Sequence, residues 1–183
     1  MVTDYSSWLA QLLDKLGQCG PEGTEALRFI KQRGTKLSLH GQPTGARWTA
    51  AGHIQVHPRY AQLPPDDTYA LSLIIHEVRH LQQGALTALS VHGELEAWQL
   101  QFGFIRSRNG RYSDDPRRNA ALENLLQLSP NGERRALEQA RDLMQEYAGK
   151  AYRIDLLPLY PLPVEILFWI TGKCYRPASK PSE

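Results

Sequence analysis

The chain has 183 residues, 42% of them hydrophobic and 22% charged, which is the composition of an ordinary folded domain long enough to bury a core. A formal net charge of +2 is too small to mark a nucleic-acid binder on electrostatics alone. No repeat of fixed period is visible, which argues against a solenoid.

Taken in chain order, Asp4 to Gly17 places Trp8, Leu9, Leu12, Leu13 and Leu16 at helical spacing, with Thr3 or Asp4 to cap it. Pro21 to Gln32 predicts a second helix, ended by Gly34. Lys36 to His40 then alternates as a half-buried strand does, and Gly41 to Gly45 is turn chemistry. Ala46 to His57 predicts a second strand, or two short ones broken near Ala51-Gly52. Pro58, Pro64 and Pro65 mark an irregular connection. A helix capped by Asp66-Asp67-Thr68 runs to about Gln83, apolar nearly all round and therefore central. Further helices are predicted over Gly93–Ile105, Asp115–Leu128 and Asn131–Tyr147, with a loop from Ser107 to Pro116. The order predicts an α+β domain, mostly α, spanning 1–176, with a polar, disordered tail over 177–183.

Leu156 to Gly172 is strongly apolar but is broken by three prolines and Glu165, so no membrane span, and no membrane partner, is expected. A tail packing on its own domain is the favoured reading. Covering a partner's core is the alternative, which leaves the oligomeric state open. Met1 to Tyr5 does not read as a secretory signal, and Cys19 and Cys174 read as free thiols, so a cytoplasmic location is expected.

The chemistry is concentrated in the central helix, at His76-Glu77-Val78-Arg79-His80. Residues four apart share a helix face, so His76 and His80 aim two imidazoles at one point, as a tetrahedral zinc needs. Glu77 stands beside that point, where it can take a proton from a water activated by the metal. A third ligand is required. Gly93-Glu94-Leu95-Glu96 opens the next helix after thirteen intervening residues, enough to finish one helix and begin an antiparallel neighbour. Glu94 and Glu96 lie about 200° apart round a helix, so only one can face the metal. Glu94 is favoured, because Ala97 on its own face lets the two helices approach closely. Glu96 and, more remotely, His92 remain alternatives.

His76-Glu77-x-x-His80 followed by Glu94-x-x-Ala97 resembles the gluzincin metallopeptidases in their minimal, short-spaced form. The resemblance covers about Thr68 to Gln101. It implies a zincin-like domain with a small sheet before the active-site helix, and one Zn2+ per chain held by His76, His80 and Glu94. It also implies Glu77 as general base and a peptide or protein as substrate. The strand before the helix, His53 to His57, would then line the cleft and pair with an extended peptide. Trp98 departs from the family, several of whose members place an aspartate or asparagine there. His92, Arg59, Tyr60 and Tyr112 are candidates for oxyanion stabilisation. Arg79 is expected in a structural salt bridge. The alternative class is a zinc-bearing binding or regulatory module without catalysis, against which Glu77 speaks. No nucleic-acid partner is expected, because Asp114 and Asp115 interrupt the basic residues from Arg106 to Arg118.

Overall fold

The computed structural model describes residues 5–130, 133–149 and 152–172. Cys174 and the tail from Pro177 lie outside these described residues. Helix α1, Tyr5–Gly17, turns Trp8, Leu12 and Leu16 inward. Helix α2, Gly20–Arg33, starts with Pro21 in its first turn. It ends at Gly34, whose left-handed φ of 64° lets its N–H reach the Ile30 carbonyl.

Three short strands follow: β1 (Leu37–Leu39), β2 (Ala46–Trp48) and β3 (Ile54–Val56). β2 and β3 form an antiparallel hairpin closed by Thr49 N–H to His53 O at 2.9 Å. β1 joins β3 in parallel, with Leu37 opposite Ile54, so the order is β1-β3-β2. The sheet therefore has three strands, and His53–His57 falls on its middle strand rather than on an edge.

Helix α3, Thr68–Gln83, is capped by Asp67, whose side chain accepts from Ala70 N–H at 2.8 Å. A single turn, α4 (Ala85–Ala88), leads into α5, Val91–Asn109. α5 runs only as far as Asn109 into the segment expected as loop from Ser107, and residues 110–115 are irregular as expected. Gly110, at a φ of 72°, supplies the left-handed stop. Helices α6 (Pro116–Gln127), α7 (Arg134–Ala148) and α8 (Leu162–Thr171) complete the order.

Two hydrophobic cores result. One joins α1, α2, the sheet and α3, and takes Phe104 from α5. The other joins α5, α6, α7 and the stretch around Leu159 and Tyr160. α5 contributes buried residues to both, with Phe104 in the first and Leu95, Trp98 and Phe102 in the second. Among the described residues no helix is long and apolar enough to cross a membrane.

The apolar C-terminal stretch departs from expectation. Ile154, Leu159 and Tyr160 are buried, but α8 turns outward: Leu162, Ile166, Leu167, Trp169 and Ile170 are exposed. The helix is held instead by its one buried side chain, Glu165, paired with Arg134 at 2.7 Å. The same guanidinium lies over the Phe168 ring, 4.4 Å from its centroid.

Candidate metal centre

α3 and α5 lie side by side, and their facing surfaces bring the sequence-predicted residues together. His76, Glu77 and His80 are all buried on α3. Glu94 enters from the first turn of α5, which Ser90 caps by accepting the Gly93 N–H at 3.0 Å. The glutamate's two oxygens lie 3.7 Å from His76 Nε2 and 3.5 Å from His80 Nε2. One donor atom from each of the three residues falls within 4.8 Å of the others.

The approach of α5 depends on Gly93. A Cβ there would meet the Thr87 carbonyl oxygen at 2.0 Å, and that oxygen belongs to backbone that cannot step aside. Gly93→Ala is expected to destabilise the fold by ~3 kcal/mol and to lower Tm by roughly 6–12 °C, measured by thermal denaturation. An unchanged Tm would show that the close approach is not needed.

The protonation pattern suits a cation. Gln83 donates its amide to Gly93 O at 3.0 Å and to Glu96 Oε2 at 2.8 Å. Its carbonyl oxygen then faces His80 Nδ1 at 3.2 Å and fixes the proton on that nitrogen. In the neutral ring, His80 Nε2 then presents a lone pair, and it lies 2.9 Å from His76 Nε2. Two lone pairs at that distance repel unless a proton or a metal ion lies between them. His76 Nδ1 is buried without a hydrogen bond. Two imidazoles and a carboxylate form a donor set that zinc accepts.

Electrostatics follow from burial and crowding. Burial, then the neighbouring His80, pushes His76 down to about 3. Burial is also the largest influence on His80 and lowers it, but the hydrogen bond and charge of Glu94, with Glu77 and Gln83, together hold it above the ordinary imidazole value. Burial would raise the Glu94 carboxyl, yet its contacts with His80 and His76 and the Tyr152 hydroxyl hold it low. Glu77 has no such compensation: burial raises it to about 7, against the opposing pull of His80 and the Trp48 backbone.

The other predicted residues fall elsewhere. Glu96 faces away from the triad and accepts from Arg79 Nη2 and Gln83 Nε2, both at 2.8 Å. The structural salt bridge expected of Arg79 is therefore present. His92 Nδ1 bonds to Pro130 O at 2.8 Å, and Tyr112 OH accepts from Arg106 at 2.7 Å. Neither lines the cleft, whereas Arg59 and Tyr60 do. The arginines of the 106–118 segment are largely occupied, with Arg106, Arg111 and Arg118 each paired to a carboxylate.

Neither a family model, nor a curated protein, nor a solved structure matches the chain. The site is therefore read from its own geometry.

Tyr152 is the residue that sequence reasoning missed. Its hydroxyl donates to Glu94 Oε2 at 2.5 Å and accepts from Trp98 Nε1 at 2.9 Å. Trp98 thus supports the carboxylate through Tyr152, in place of a direct polar contact to a histidine. No local signal marks Tyr152, which lies 58 residues beyond Glu94 in an irregular connection. Tyr152→Phe is expected to weaken zinc binding about 10–100-fold, read by competition with a chromophoric chelator. Unchanged affinity would show that the Tyr152 bond does not orient Glu94.

These groups open onto a cleft of about 460 Å3. One wall is β2, Arg59 and Tyr60; the other is aromatic, with Tyr69, Phe102, Tyr147 and Tyr152. The strand that lines the cleft is β2, an edge strand, and not His53–His57 as expected. β3 carries that segment and has both its edges already paired, so at the cleft it is β2 that has main-chain groups to offer.

Proposed function

We propose that the chain is a zinc-dependent metallopeptidase on a zincin-like fold, acting on peptide or protein substrates. The observation that carries this reading is the convergence of His76, His80 and Glu94 from two helices, with Glu77 beside them in an open cleft. Zinc, when bound, supplies a Lewis acid that acidifies water and polarises a carbonyl oxygen.

The chain's own residues account for the remaining steps. His76, His80 and Glu94 would hold the ion, with Gln83 fixing the His80 tautomer and Tyr152 fixing Glu94. Glu77 would take a proton from the attacking water and return it to the leaving amine. The free edge of β2 offers main-chain groups to an extended peptide. A cytoplasmic setting belongs to the same proposal.

The test is metal content by elemental mass spectrometry, run with a peptide-library digest. About one zinc per chain and cleavage abolished by a chelator are expected. No zinc after reconstitution would overturn the reading. Zinc without cleavage would leave a metal-bearing binding module.

A further inference from the structure

The exposed face of α8 has no part in the cleft. Of its ten residues only Glu165 and Thr171 carry polar side chains. Glu165 is turned inward to Arg134, and the Thr171 hydroxyl donates to the helix's own Leu167 carbonyl at 2.7 Å. The N-terminal backbone is similarly self-contained. Pro161 and Pro163 have no N–H, and the Val164 and Glu165 amides both donate to Pro161 O, at 2.8 and 3.2 Å.

What α8 shows to its surroundings is hydrocarbon and indole. Ile170 is 78% exposed, Trp169 65% and Leu167 56%. α4, which contacts α8, adds the exposed Leu86, and the exposed Leu89 follows it directly. A protein partner's interface ordinarily has a polar rim, and this helix provides almost none. An environment poor in water favours the opposite, that polar groups be satisfied within the protein, as Glu165, the Thr171 hydroxyl and the Val164 and Glu165 amides are. The sequence from Gly172 to Glu183 carries Lys173, Arg176 and Lys180 against the single acid Glu183. An apolar helix bearing tryptophan and followed by basic residues is complementary to an anionic lipid surface. Ten residues rise only ~15 Å, about half of a bilayer's ~30 Å hydrocarbon core, so such a helix lies along the surface and does not cross it.

We infer that α8, with Leu86 and Leu89 beside it, seats the protein on the surface of an anionic bilayer. The test is sedimentation of the full chain with vesicles of phosphatidylcholine containing phosphatidylserine, against phosphatidylcholine alone. Preferential binding to the mixed vesicles, weakened by salt, is expected. Ile170→Glu should reduce it about tenfold or more while leaving the circular dichroism and Tm unchanged, since that side chain packs on little of the protein. Three results would overturn the inference: no binding to either vesicle, binding as strong to phosphatidylcholine alone, or an Ile170→Glu variant that binds like the parent. A lipid-free dimer that Ile170→Glu dissolves would also overturn it and assign the face to a second copy.

Discussion

Glu77→Gln is expected to lower kcat/KM for peptide hydrolysis by about 10²–10⁴-fold while leaving zinc stoichiometry at one per chain. The amide keeps the shape and the polarity of the carboxylate, so the two helices should pack as before. What it loses is the capacity to take and return a proton, and no other described carboxylate stands ready to replace it. Glu94 is bound to Tyr152 and committed to the two histidines, and Glu96 is held by Arg79 and Gln83. Steady-state kinetics beside elemental analysis separate the outcomes. Retained hydrolysis in the variant would sink the mechanism. Loss of zinc together with activity would make Glu77 part of the metal's holding set.

The second large effect separates the two glutamates of α5. Glu94→Ala should weaken zinc binding by more than the roughly 10–100-fold typical of removing a residue that only orients a ligand. Glu96→Ala should leave zinc in place, because its carboxylate faces Arg79 and Gln83 and not the triad. Thermal shift gives an independent readout. Free zinc at a thousand times its Kd would stabilise the parent by ~4 kcal/mol, or roughly 8–16 °C in Tm. That shift should vanish in Glu94→Ala and persist in Glu96→Ala. The reverse pattern would exchange the two residues' roles.

Much of the site is legible in the sequence because helix geometry is local. His76, Glu77 and His80 are related by a fixed rotation along one element, so their spacing alone predicts a shared target. Glu94 is one step less direct, since it needs a turn of suitable length and a close helix contact. Ala97 hints at that contact, and Gly93 secures it. Tyr152 and Gln83 are not legible in this way. Tyr152 reaches Glu94 through tertiary folding of an irregular segment. The role of Gln83 depends on the direction of its amide, which no spacing encodes.

The sheet shows the same limit. Alternation in Leu37–Leu39 and Ile54–Val56 identifies strands, but the parallel pairing of β1 with β3 is a long-range choice. That pairing covers the second edge of β3 and leaves β1 and β2 as the edges. α8 misleads for a different reason: hydrophobicity predicts burial only when an inward face remains to be filled. Tyr160 and Leu159 already fill it.

The division of the interior into two cores has a mechanical consequence. The histidines belong to a helix rooted in the first core, while the tyrosine that steadies Glu94 lies beside the second. An ion gripped by all three donors would rivet the two halves across their seam, so loading and rigidity would rise together. Without the rivet, each half could loosen on its own schedule, and the cleft between them would be the first place to gape.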